Sequence, residues 1–492
     1  MRLFAGFSAF LVTASVVIAL AAGPEPDRST SNSVPEKSAK PVGSKAAPFI
    51  VHEWGTFTSF SGSDGVRLEF RPLVDEDLPA FVLDRFLQSG QRANMKRSIR
   101  SRLRMETPVT YFYTERERDV NVRVDFPKGL LTEFYPPVVS MGPQFKMGER
   151  LPIRNSHLDW GKVHLIPQDF FQIDIDDPKR QSLIENRMLA GLIPKADGRN
   201  HYFHARDTDS AIVQVHHDRD PKRPQKPASD FFEKFLFYRG VGNFDLPLKL
   251  TASGNGRYEL VNSGPDAIRS LFLVTAAGKE LRFAKFDQIE AGKTRTLTQS
   301  TKPATMEELS EAVVQALIDE ELYEKEARAM VKTWESSWFG ETGTRLFYMV
   351  PTPITEELLP LKVEPKPDET VRVLVGRMEI MTPETEKKVL QLVETSYADM
   401  LKTVKKATAE KKKVPPLKLP AKLAELGRLA EPALARIRAI APKIETRRHA
   451  GVLLRMLPHA EGVADLDLDL LKLEDLLAPA TNAAEAEAAA AN

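Results

Sequence analysis

Residues 200–220 hold His201, His204, Asp207, Asp209, His216, His217, Asp218 and Asp220, so four of the chain's nine histidines fall in this one stretch. Imidazole and carboxylate together suit a divalent transition metal such as Zn, Fe, Mn or Cu. Paired extended segments could bring His201 or His204 to His216, with Asp207 as a further ligand. Such a centre would serve a metal-dependent hydrolase whose base is Glu53 or Asp209. Residues 211–215, Ala-Ile-Val-Gln-Val, alternate as a strand, which sends His216 and His217 to opposite faces and bars both from being ordinary ligands of one ion. The competing reading is a solvated turn, for which Asp218-Arg219-Asp220-Pro221 has the residues.

Other constellations offer different chemistry. In His52-Glu53-Trp54-Gly55-Thr56 a His and a Glu could share acid–base work, and Trp54 could present an apolar or sugar-stacking face. Strand alternation again separates His52 from Glu53, which favours a core or interstrand role for the segment. Asp174 and Asp176 share a strand face and could bind Ca²⁺, although the glycine and ligand series of an EF-hand are missing; an edge strand ending at Pro178 is the simpler reading. Arg97, Arg100 and Arg104 fall on one side at helical spacing and could hold phosphate, an acidic glycan or lipid headgroups, with a solvated charged face as the alternative. Gly240-Val241-Gly242 lacks the third glycine of a dinucleotide loop and reads as a turn or bulge. No HExxH, P-loop or G-x-S-x-G pattern occurs.

These side chains need a body to position them, and the composition supplies one. With 42% hydrophobic residues the chain can build real cores, and 492 residues allow two to four domains. Lys and Arg number 69 against 68 Asp and Glu, so the net charge of +1 gives no global field for nucleic acid or an anionic membrane. The absence of cysteine excludes disulfides, thiolate metal sites and a cysteine-linked lipid anchor.

Arg2, the apolar run 3–20 and the small residues Ala19-Leu20-Ala21 read as a signal peptide over 1–22. The rival is an uncleaved anchor, because residues 3–22 could just span a bilayer. Either way the expectation is an extracytoplasmic protein, periplasmic or secreted, with no membrane span once the signal is removed. Residues 23–48 lack large apolar side chains and read as a disordered linker.

The fold class expected is α+β. A β-rich domain with helical insertions covers 49–245, including a strand at 49–60 that forms a hairpin with 66–70 and a short helix at 77–87. Residues 246–300 resemble an Ig-like or fibronectin-like sandwich in the spacing of their turns. A helix pair, opened by the capping box Thr305-Met306-Glu307-Glu308, and two buried strands fill 301–383. Residues 384–475 read as helical; 423–457 resemble a single HEAT-type repeat, through Leu426-Gly427, residues 430–434 and 445–448. Residues 476–492 read as a disordered tail. The segments His52-Glu53-Trp54-Gly55-Thr56 and Tyr238-Arg239-Gly240-Val241-Gly242 are similar to stretches of uncharacterised exported bacterial proteins, a resemblance that implies no activity.

Two functional classes follow. The leading expectation is a non-catalytic interaction or structural protein whose partner is a protein or a cell-envelope component and not nucleic acid. The other is the exported metal-dependent hydrolase built on the His-rich stretch. A third, polysaccharide binding through Trp54 or Tyr258, rests on fold analogy.

Overall fold

The computed structural model describes residues 48–73, 78–88, 96, 99–144, 152–167, 193–195, 200–218 and 228–457. The segments expected as a signal peptide and, but for Pro48, as a linker, together with the Asp174/Asp176 pair, Arg97 and the expected C-terminal tail, lie outside the described residues.

Nineteen strands are described. They are β1 (Ile50–Ser61), β2 (Arg67–Leu68), β3 (Leu83–Asp84), β4 (Leu103–Tyr113), β5 (Arg118–Phe126), β6 (Gly129–Tyr135), β7 (Ser140–Gly142), β8 (Ser156–Ile166) and β9 (Ile212–His217). The series continues with β10 (Ser229–Glu233), β11 (Leu236–Gly242), β12 (Leu248–Gly254), β13 (Arg257–Asn262), β14 (Ile268–Ala277), β15 (Glu280–Ile289), β16 (Thr294–Thr298), β17 (Gly343–Val350), β18 (Leu361–Glu364) and β19 (Glu369–Ile380). The helices are α1 (Arg85–Gln88), α2 (Met306–Asp319), α3 (Glu324–Glu335), α4 (Thr352–Leu358), α5 (Pro383–Ala409), α6 (Ala421–Ala424), α7 (Ala430–Ile440) and α8 (Ile444–Met456). The chain is thus α+β, a β-rich body followed by a helical C-terminal segment.

A ten-stranded sheet runs β15-β14-β17-β19-β1-β4-β11-β6-β3, with β2 paired to the end of β1. The β1–β19 pair is parallel and joins segments more than 300 residues apart, while β4 lies antiparallel on the other side of β1. Both faces of this sheet are covered. Val51, Phe57, Leu236 and Leu374 share a core with Val122 and Trp160 of the six-stranded sheet β10-β9-β8-β5-β18, in which β7 also pairs with β8, and with Leu250 and Leu260 of the three-stranded sheet β12-β13-β16. Trp54, Phe237 and Val373 face the other way, onto Leu317 of α2 and Met330 and Trp334 of α3. Burial on both sides explains why β1 is an unbroken run of buried residues from Val51 to Ser61.

The local expectations meet the fold in instructive ways. Thr305 Oγ1 accepts the Glu308 amide and Glu308 Oε2 accepts the Thr305 amide, closing the capping box that starts α2. The β1–β2 hairpin forms. The five strands of the sandwich-like segment divide between two layers, β12, β13 and β16 in the small sheet and β14 and β15 at the edge of the large one. The helix expected at 77–87 is corrected: Leu83–Asp84 pairs with β6, and only Arg85–Gln88 is helical. Gly240 sits at a bulge of β11, where a Cβ would lie 2.4 Å from the Leu130 carbonyl oxygen, so closeness of backbones explains this glycine.

The C-terminal helices close over the end of β1 through Phe60, Val393, Val404, Leu434 and Leu453. Within them His449 is fully buried, with Nε2 2.9 Å from Ser396 Oγ and Nδ1 lacking a hydrogen-bond partner. Burial pushes its pKa down to about 4. The unfolded chain therefore takes up a proton near pH 6.5 that the folded chain refuses until about pH 4, and stability falls as pH drops through that window. The expected loss is about 3 kcal/mol. Urea unfolding of the natural chain and of His449→Gln across pH 4–7 checks this, because the variant should lack the loss.

Candidate functional site

Strand β1 carries the His52-Glu53-Trp54-Gly55-Thr56 motif through the middle of the large sheet, and its alternation sorts the motif onto two faces. Glu53 points between the sheets and is 0% exposed. Register sets Arg372 of β19 beside it on one flank and Thr110 of β4 on the other. Arg372 donates to Glu53 Oε2 from Nε at 2.8 Å and Nη2 at 2.6 Å, and Oε1 accepts from Thr110 Oγ1 at 2.9 Å and Tyr238 Oη at 2.6 Å. Four donors saturate the carboxylate. Burial, and then the Glu53 charge, push the Tyr238 hydroxyl well above its ordinary range, which keeps it a donor. Burial opposes the Arg372 charge, but Glu53 outweighs it and raises the guanidinium. The Glu53 expected as a hydrolytic base is thus a buried ion-pair member, held where no solvent reaches it.

His52 faces the helices. Its Nδ1 lies 2.7 Å from Glu326 Oε2 of α3, and both residues are buried. Glu326 also accepts from Tyr113 Oη at 2.7 Å and from the Tyr323 amide at 3.1 Å. The rings of Tyr323 and Tyr113 close over the imidazole at 4.4 and 5.3 Å. Tyr323, 42% exposed, and the half-buried Tyr113 bring this cluster to the surface. Trp54 and Tyr258 are both buried, Trp54 against Tyr111, so neither offers the sugar-stacking face of the polysaccharide reading.

Two further networks lie in the large sheet. Glu106 pairs with Arg428 at 2.8 Å and Arg104 at 3.2 Å and accepts from Thr58 Oγ1 at 2.8 Å. Burial would raise its carboxyl, but Arg428, Arg104 and Arg377 outweigh that and hold it at about 2. Arg377 and Arg345 converge on Glu379. On the flank, Glu133 takes Arg239 at 2.8 Å and Lys96, and these two cations overcome burial to hold its carboxyl at about 2 as well. Arg428 comes from the helical segment, so its pairing with Glu106 ties that segment to the sheet. The basic face expected from Arg97, Arg100 and Arg104 is corrected here. Arg104 belongs to strand β4 and is buried on Glu106, whereas Arg100 is exposed ahead of the strand.

The His-rich stretch separates. His201 and His204 lie on a 3₁₀ turn, His201–Arg206, capped by Asn200, and the His201 ring packs 5.1 Å from Trp334. Asp207 ends that turn, its amide donating to the His204 carbonyl. Asp209 pairs with Lys325 at 2.6 Å. His216 stands exposed on β9, facing Asp230 across the β9–β10 pair at 2.8 Å, and that carboxylate raises its pKa. His217 points the other way, toward the Pro137 carbonyl. Among the described residues no three His, Asp or Glu side chains are grouped to hold a metal ion. His201, His204, Asp207 and His216 therefore do not assemble as the ligand set the sequence suggested, because each is engaged by its own local turn or strand. An open cleft of about 260 Å³ lies elsewhere, lined by Asp266, Arg269, Glu320, Met349 and Thr352.

Sequence reasoning missed Arg372, Glu326, Glu106 and Arg377, the residues that complete these networks. Register was the missing signal: Glu53 and Arg372 are 319 residues apart.

No protein-family model and no curated protein matches the sequence. Among solved structures, the chain is similar to the Fcho1 mu homology domain of Danio rerio with bound Eps15 peptide, at 5% identity and TM-score 0.24, over 68% of this chain and 98% of that one. It is also similar to the yeast delta-COP-I mu-homology domain complexed with a Dsl1 WxWxV peptide, at 8% identity and TM-score 0.22, over 68% and 97%. At these scores the likeness carries no functional argument.

Proposed function

We propose that this is an exported, non-catalytic interaction protein, a β-rich body that presents its surface to a protein or cell-envelope partner. The observation that carries the reading is the closure of the charge networks. The acid–base residues of β1 are spent on one another, Glu53 on Arg372, Thr110 and Tyr238, and His52 on Glu326. A catalytic base must meet a substrate proton within hydrogen-bond reach. A carboxylate saturated by four donors inside a sheet instead fixes strand register, as a satisfied polar network does. Export rests on the N-terminal 1–22 segment.

The test is site-specific photo-crosslinking in the producing cell, with the probe placed in turn at the exposed apolar positions Val66, Leu87, Val139, Tyr323 and Ile440. An interaction protein is expected to give one recurrent extracytoplasmic adduct confined to neighbouring positions. Adducts scattered over all five sites, or a cytoplasmic location, would overturn the reading.

A further inference from the structure

The near-neutral total charge conceals a sharp division at the C-terminus. Residues 383–457 carry seventeen Lys and Arg against eight Asp and Glu, a net +9, while residues 458–492 carry eight Asp and Glu against one Lys, a net −7. The positive charge is concentrated. Along α5 the apolar positions Met400, Val404 and Ala407 are buried in the helical core, which turns Lys402, Lys405 and Lys406 outward. Lys411 and Lys412 follow directly and are exposed, as are the lysines at 418 and 422. Asp399 lies 3.7 Å from Lys402 and Glu410 3.0 Å from Lys412, and as exposed pairs they offset little of this charge.

We propose that this lysine surface is a docking site for the chain's own acidic segment, residues 461–475, with its carboxylates Glu461, Asp465, Asp467, Asp469, Glu474 and Asp475. Charge complementarity is the first argument. Reach is the second. Helix α8 packs on the middle of α5, with Lys443 3.4 Å from Glu394 and His449 2.9 Å from Ser396. From residue 396 to Lys406 along a helix is about 15 Å. The described chain ends at Leu457, eight residues or about 12 Å along α8 from His449, and the eighteen residues from Leu457 to Asp475 span up to about 60 Å when extended, more than the two helical stretches together. Tethering is the third: a short linker gives the segment an effective concentration in the millimolar range, which an external anion must exceed to displace it. The lysines are point charges without the fork geometry of arginine, which suits a loose, salt-sensitive contact and not a shaped anion pocket. The acidic segment is then an internal competitor, and its release uncovers a polycationic surface for an anionic partner.

The full-length protein tests this. Zero-length carbodiimide coupling, which joins a carboxylate to a lysine amine in contact with it, followed by peptide mass spectrometry, is expected to link 461–475 to Lys402–Lys422 within the monomer. The links should fade by about 0.5 M salt, where screening is nearly complete. Links only between two chains, salt-insensitive links, or links to other surfaces would overturn the proposal. In parallel, vesicles containing phosphatidylglycerol probe the surface. A variant combining Asp465→Asn, Asp467→Asn, Asp469→Asn, Glu474→Gln and Asp475→Asn should bind them at least about tenfold more tightly than the natural chain. Equal binding would mean that the segment does not cover the lysines.

Discussion

Acid should unfold this protein in a window set by two buried carboxylates, Glu106 and Glu133. Each is about 1% exposed and is held at about 2 from an ordinary 4.5, Glu106 by Arg428, Arg104 and Arg377 and Glu133 by Arg239 and Lys96. The folded values are depressed, so the stabilisation is complete above pH 4.5 and is lost as pH falls from there to about 2. The expected loss is about 3 kcal/mol for each residue, a large part of the 5–15 kcal/mol typical of a whole fold. Urea unfolding at steps of pH should show its steepest decline in that window. Glu106→Gln and Glu133→Gln should each be less stable at neutral pH and flatter below pH 4.5. An unchanged slope in both variants would contradict the account. The His449 decline sits higher, between about 4 and 6.5, so the two effects separate along the pH axis.

The second large effect is expected at Glu53 and Arg372. Removing either partner alone leaves a charge or its donors stranded between two sheets, and Glu53→Leu or Arg372→Met should each cost about 3–5 kcal/mol. Replacing both together removes the stranded charge, and the double variant should recover much of that loss. Denaturant midpoints for the two single variants, the double variant and the natural chain complete the cycle. A coupling below about 1 kcal/mol would mean that the pair does not hold β1 against β19.

What the sequence made legible was local. The alternation in β1 placed His52 and Trp54 opposite Glu53, the capping box located the start of α2, and the short apolar runs at 346–350 and 371–375 fell inside β17 and β19. The failures were of pairing. Arg104 has helical spacing from Arg97 and Arg100, yet its segment extends as β4, because Leu103, Met105 and the β-branched residues that follow fill the sheet core. The His-rich stretch was suggestive by composition alone, and composition does not show that His216 meets Asp230 while Asp209 turns to Lys325. The partners that close the site, Arg372, Glu326 and Arg428, lie more than 200 residues along the chain from the strands they meet and reach them only through tertiary register. Nothing in local periodicity encodes such pairs.

The central proposal is that these acid–base side chains and the His-rich stretch build the body and hold no metal, and it is tested most directly by elemental analysis of the protein purified without a histidine tag, beside a His201→Ala, His204→Ala double variant. The expected result is no stoichiometric transition metal in either protein and closely similar unfolding curves. A metal bound one to one in the natural chain and lost in the double variant would contradict the claim and restore the metal-dependent hydrolase.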